Sequence, residues 1–249
     1  DADFQFETDF NFLTVALWGQ RKNIEKTILN FVEEFKDEEN VGLVVKTAIR
    51  GGSTYDLLGT EQLLKKILSK YPDRKCKVYL LHGRLSEEEM TTLYRHDKIK
   101  CMVSLAHGEG FGLPLFEAAY NGLPIVATDW SGQTDFLYAP QKDKKGKEKK
   151  KGLFGKVSYD LHKVQPESVW EGVIVPDSMW AYPSDRSAKT KMREVFKDYQ
   201  LALNKAKKLK KFVEEEFEAE KMLDKMLSPI LPSGEQTDWQ EELSELDEI

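Results

Sequence analysis

Residues 100–128, KCMVSLAHGEGFGLPLFEAAYNGLPIVAT, hold the reading that decides the fold. The stretch opens on an apolar run of strand length, Lys100–Leu105, and closes on a second, Pro124–Ala127. Between them Gly108, Gly110 and Gly112 stand at alternate positions, followed at once by a helix-forming segment, Leu113–Asn121. Strand, glycine turn, helix, strand is the pattern of a βαβ unit, whose parallel strands are joined by a right-handed crossover. Pro114 suits the first helical turn, where its missing N–H costs nothing. Glycine permits positive φ and lets backbone approach a ligand closely. The unpaired N–H groups and dipole of a helix start favour an anion there. A diphosphate is the natural guest.

Working outward, the same alternation recurs. Strands are expected at Phe12–Trp18, Val41–Lys46 and Lys77–Leu81. Helices are expected at Asn23–Phe35, with Asn23 as N-cap, at Thr60–Tyr71, closed by Pro72, and at Ser86–His96. The last opens with a capping box, Ser86 and Glu89 three residues on. These strands are near-continuous apolar runs, as expected where helices cover both faces of a sheet. The fold class is therefore α/β, a Rossmann-like doubly wound parallel sheet. In such sheets ligands bind outside the carboxyl ends of the strands. Beyond Tyr138 the pattern loosens: a lysine-rich loop spans 139–152, and short strands are expected near Lys156–Ser158 and Gly172–Val175. A long helical segment returns over Thr190–Leu227, and residues 231–249 read as an acidic tail.

Two carboxylates frame the glycine turn. Glu109 lies in the loop and Glu117 one to two turns into the helix. Like charges repel, so both do not serve a diphosphate; they suit hydroxyl donors instead, Glu109 a sugar ring and Glu117 a ribose diol. The combination describes a nucleotide sugar. Either glutamate alone reads equally well as a helix-dipole partner or an ion-paired helix residue. Two glutamates framing GFGLP, followed by GLPIVAT, are far rarer by chance.

This stretch resembles the group-1 glycosyltransferases of the GT-B fold, retaining enzymes that use nucleotide sugars and carry an E-x7-E signature. Glu109 and Glu117 occupy its two acidic positions. The resemblance implies that Glu109 contacts the donor sugar and Glu117 the ribose, with the backbone of Gly110, Phe111, Gly112 and Leu113 holding the diphosphate. Arg21-Lys22-Asn23 looks like the family's R-K-[GN] turn, whose lysine pairs with the diphosphate. The family's glycine-arginine pair directly after the first strand is replaced here by Trp18-Gly19-Gln20, so that phosphate-binding arginine is either missing or supplied by Arg21. The plain alternative for Arg21 and Lys22 is a solvated turn. Gly83-Arg84-Leu85 resembles the turn that lines the base pocket, and Ser131 and Gly132 a small-residue loop that approaches the donor. The resemblance covers roughly residues 12–137. It implies the C-terminal, donor-binding half of a GT-B architecture, residues 12–230, with residues 1–11 as a linker remnant. The partner would be an N-terminal acceptor-binding domain, and the acceptor a glycan, lipid or protein. Apolar surface on Thr190–Leu227 that faces that domain would then be left uncovered. Two other readings of the residues stay open: a non-catalytic nucleotide-sugar-binding or regulatory subunit, and another GT-B enzyme such as a sugar-nucleotide epimerase or a phosphorylase.

Composition removes several alternatives. The 249 residues carry a net charge of −6, which argues against a nucleic-acid partner. Residues 142–151 hold seven lysines but no aromatic, the mark of a solvated loop; contact with an anionic membrane surface is the lesser reading. No apolar run approaches the ~18–20 residues of a membrane span. Cys76 and Cys101 read as free thiols of a reducing, cytoplasmic compartment. The resemblance implies no metal or other cofactor beyond the nucleoside-diphosphate sugar itself; the four histidines, which form no metal-binding spacing, and the absence of a DxD-type acidic cluster at a strand end agree with it.

Overall fold

The computed structural model describes residues 4–142 and 146–230; the acidic segment 231–249 lies outside the described residues. The chain divides into two compact units, residues 1–210 and 211–249. In chain order the first unit holds β1 (Phe10–Val15), α1 (Ile24–Phe35), β2 (Val41–Thr47), α2 (Thr54–Leu68), β3 (Lys77–His82), α3 (Glu87–Arg95), β4 (Ile99–Ser104), α4 (Leu113–Tyr120) and β5 (Ile125–Thr128). There follow α5 (Thr134–Leu137), β6 (Tyr138–Lys142), β7 (Glu148–Gly152), β8 (Gly155–Val157), β9 (Tyr159–Lys163), β10 (Met179–Pro183) and α6 (Asp185–Lys197). Helix α7 (Tyr199–Glu216) runs across the division, and α8 (Ala219–Leu227) belongs to the second unit.

Six parallel strands form the main sheet in the order β3-β2-β1-β4-β5-β8. All seven residues of β2 are buried, which explains its near-continuous apolar sequence. Strand order reverses between β1 and β4, and the carboxyl edge at such a switch point is the usual ligand position in this architecture. Below it, Phe12 of β1 meets Phe31 and Phe35 of α1 with ring centroids 5.8 and 5.2 Å away. Helix α6 closes that face with Ala188, Met192 and Val195, and Arg193 lies 4.4 Å above the Phe35 ring.

Several sequence expectations need correction. The lysine-rich segment 139–152 is not an open loop: its described residues form an antiparallel hairpin, β6 against β7, with Tyr138 opposite Gly152 and Lys142 opposite Glu148. Glu148–Lys151 of β7 are all exposed, so lysine is tolerated at every position of this ribbon strand and the charge run gave no strand signal. No strand forms at Gly172–Val175, where Gly172 takes φ 74° in a turn; the second strand there is β10, which pairs with β9. Helix α2 begins at Thr54 rather than Thr60, capped by the Ser53 hydroxyl, which accepts from the Asp56 N–H. The long C-terminal helical segment is three helices, α6 to α8. Strand β1 starts at Phe10, and Phe6 and Thr8 ahead of it are buried, so the expected linker packs onto the sheet edge. The capping box of α3 forms as expected.

Candidate functional site

The turn after β1 and the loop after β4 meet across the switch point. Arg21 and Lys22 lie on a short 3-10 turn, Gln20–Lys22, and both point at Glu109. Lys22 Nζ donates to both carboxylate oxygens at 2.7 Å, and Arg21 Nη1 to Oε2 at 3.0 Å. Glu109 keeps 11% of its side chain exposed, against 22% for Lys22 and 42% for Arg21. Backbone joins the two segments as well: the His107 N–H donates to the Arg21 carbonyl at 2.9 Å, and Arg21 Nη1 to the Gly108 carbonyl at 2.5 Å. Asn23 precedes α1 as expected but does not cap it with its side chain. It takes a left-handed φ of 55°, and its amide donates 2.9 Å to the Leu105 carbonyl, tying the start of α1 to the end of β4.

A third segment locks the glutamate loop from the β5 side. The Glu109 N–H donates to Ser131 Oγ at 2.8 Å, and the Gly132 N–H donates to the Glu109 carbonyl at 3.1 Å. A Cβ at Gly132 would lie 1.7 Å from the Gly110 carbonyl oxygen, so no other residue fits. Gly112 takes φ 89° and starts α4 without a side-chain cap; its carbonyl accepts from Leu115 and Phe116 at 2.9 and 3.0 Å. The uncapped helix start carries the partial positive charge that favours an anion. Leu113 is largely exposed there, whereas the Phe111 ring packs 5.2 Å from Phe116 and 5.1 Å from Phe136 and anchors the loop.

Glu117 sits apart, on α4. The Tyr94 hydroxyl donates to its Oε2 at 2.8 Å, and its other oxygen makes no hydrogen bond among the described residues. Burial and the nearby carboxylate push the Tyr94 hydroxyl pKa well up, so it stays a donor. The two residues line a cleft of about 540 Å³ with Leu85, Met90 and Phe116. Gly83, with φ 91°, and the exposed Arg84 turn away toward a second cavity of about 350 Å³ at the ends of β1, β2 and β3.

The structure thus brings Arg21, Lys22, Glu109, Gly110, Gly112, Ser131 and Gly132 together, and puts Glu117 with Leu85 in a neighbouring cleft. Three nearby residues with unusual surroundings were not singled out from sequence. One is Tyr94. The second is Lys46, buried at the end of β2, a lone lysine ending an apolar run. The third is His107, whose Nδ1 is 2.7 Å from the Ala181 carbonyl and therefore carries the proton. Its ring stacks on Trp180 at 5.3 Å, and burial lowers its pKa. Its partners lie more than seventy residues away on β10, so no local motif announces it.

A family model described as glycosyl transferases group 1 matches residues 5–142, more than half of the chain. The chain belongs to this family. The serotype-specific mannosyltransferase WbdA of Escherichia coli is 28% identical over 119 residues, 48% of this chain but 13% of that protein. Among solved structures, the C-terminal domain of a group 1 family glycosyl transferase (LpcC) from Francisella tularensis shares the fold at TM-score 0.58. It is 15% identical, and the match covers 85% of this chain and 88% of that one. Anabaena HepE, solved with UDP-glucose, matches at TM-score 0.56 and 14% identity over 89% of this chain and 49% of that one. The group-1 chain therefore has the fold of a C-terminal GT-B domain, and spans about half of the longer HepE chain. No described helix is long and apolar enough to cross a membrane.

Proposed function

We propose that this group-1 chain binds a nucleoside-diphosphate sugar at the β1–β4 switch point and supplies the donor half of a retaining glycosyltransferase. The observation that carries the reading is the Arg21–Glu109–Lys22 cluster beside the uncapped start of α4. Cations and a helix start suit a diphosphate, and a carboxylate between them suits a sugar hydroxyl. Glu117, with one oxygen free and an apolar cleft beside it, suits a ribose diol and its base. In the complete enzyme, with an acceptor-binding domain opposite, an acceptor hydroxyl attacks the anomeric carbon. The new C–O bond forms as the bond to the diphosphate oxygen breaks, and the leaving phosphate takes the hydroxyl proton on the same face. Charge that develops on the diphosphate is met by Lys22, Arg21 and the amides of Gly110–Leu113 rather than by a metal ion. Cytoplasmic work suits the two cysteines, both free and buried.

Titration calorimetry with UDP, GDP, ADP and CMP tests the reading. One nucleotide is expected to bind clearly, and Glu117→Ala to weaken it about 10–100-fold by removing a charge-assisted contact of ~1.5–3 kcal/mol. A folded Glu117→Ala protein with unchanged nucleotide affinity defeats the assignment.

A further inference from the structure

Lys46 is the one buried lysine or arginine among the described residues. It is the penultimate residue of β2, opposite Val15 of β1 and Leu81 of β3, and so lies near the carboxyl edge of the sheet. Its single hydrogen bond there goes to the Gly83 carbonyl. It forms no ion pair among the described residues, whereas Arg21 and Lys22 are both engaged by Glu109. Asp56, at the start of α2, does not serve it. That carboxylate accepts the N–H groups of Ile49, Arg50, Gly51 and Gly52 at 2.8–3.1 Å, which hold its pKa down at about 2 and shape the loop after β2. Desolvation lowers the Lys46 pKa, the expected mark of a buried charge without a counter-ion.

The ammonium lies on the wall of the 350 Å³ cavity, with Arg50 and Arg84 on the same wall and no acidic side chain. Thr47, also on that wall, is buried, and its hydroxyl has no hydrogen-bond partner among the described residues. A buried cation with spare donors, two flanking arginines and an unpaired hydroxyl form a set of groups lacking an acceptor-rich anion. An arriving anion would offset the burial cost of such a cation. The geometry points to a phosphate-binding subsite centred on Lys46, separate from the Arg21–Lys22 pair and one strand away from it across β1. The phosphate is either part of a donor diphosphate, in which case the subsite deepens the reading above, or an independent phosphate.

Pyrophosphate titrated into the wild type, K46M and K46R tests it, with thermal melting alongside. K46M keeps the side-chain volume and removes the buried charge, so its melting temperature should hold or rise while pyrophosphate affinity falls about 10–100-fold. K46R should restore most of that affinity. Gain of stability with loss of anion binding is not what a merely structural lysine would produce. Repeating the titration at saturating nucleoside diphosphate separates the sources: competition assigns the subsite to the donor, and simultaneous binding assigns it to a second phosphate. A wild type that ignores pyrophosphate, or a folded K46M that binds it as the wild type does, overturns the proposal. Pyrophosphate has no ribose and does not touch the Glu117 cleft, so the Glu117→Ala result stands or falls independently.

Discussion

Replacing Glu109 by Gln should make the ligand-free protein less stable yet bind pyrophosphate more tightly. In the structure the carboxylate holds Lys22 through two contacts of 2.7 Å and Arg21 through one of 3.0 Å. Hydrogen bonds to charged groups contribute ~1.5–3 kcal/mol, whereas exposed ion pairs contribute ~0–1. Glu109 is 11% exposed, but Arg21 is 42% exposed, so solvent screens part of the cluster. A loss of ~1–2 kcal/mol is the resulting magnitude, and glutamine keeps the shape of the side chain. For a chain of this size it lowers the melting temperature by ~2–8 °C. Yet the carboxylate also competes with any phosphate for the same donors. Without its charge, Arg21 and Lys22 are released, and pyrophosphate affinity should rise about 5–30-fold. Calorimetric titration and a melting curve on the same sample read both signs. A folded E109Q protein with unchanged or weaker pyrophosphate affinity would refute the reasoning: the two cations would then be structural partners of Glu109 that face no ligand.

Gly132→Ala puts a Cβ 1.7 Å from a backbone oxygen of the glutamate loop, so the loop must move. Stability is expected to fall by ~1–3 kcal/mol, read by chemical denaturation, and an unchanged midpoint would mean that the loop is held less tightly than its hydrogen bonds imply. His107 is kept neutral by burial, its folded pKa lying below the ordinary 6.5. Above that value neither state is protonated and the histidine adds no pH dependence. As pH falls through it, the unfolded chain takes up a proton that the folded chain refuses, so stability should decline toward the folded pKa. His107→Gln should flatten that decline in a series of denaturation curves, and a profile identical to the wild type would count against the assignment.

The alternation of β1 to β5 with their helices was readable because burial keeps the inner strands, β2 above all, largely apolar, and because Ser86 and Glu89 form a complete local cap. The glycine turn around Glu109 was readable for a similar reason, since the positive φ of Gly112 is a local demand on conformation, whereas the contact of Gly132 with that loop was not. What escaped were decisions made at a distance. Ser53 and Asp56 form the start of α2, six residues ahead of the Thr60 at which the helix was expected. The hairpin of β6 and β7 rests on backbone pairing that lysines neither favour nor forbid. His107 and Lys46 acquire their meaning from β10 and from the turn after β3, more than thirty residues away in each case.

Two sets of cations face the carboxyl edge of this sheet, and they differ in what the protein already provides for them. Arg21 and Lys22 have a partner in Glu109, so an anion that engaged them would first have to displace those contacts. Lys46 has a carbonyl and no carboxylate, so its full attraction is available to an arriving anion. On the proposed reading, a diphosphate that displaces Glu109 from Arg21 and Lys22 also frees that carboxylate to accept sugar hydroxyls. Donor recognition would then be coupled: phosphate binding prepares the sugar contact, and a nucleotide without its sugar leaves Glu109 unsatisfied. The wild type should consequently gain more from the presence of the sugar than E109Q does. The ratio of nucleotide-sugar to nucleotide affinity, measured in both proteins, tests the coupling directly, and an equal ratio in the two would remove Glu109 from sugar recognition while leaving its ion pairs intact.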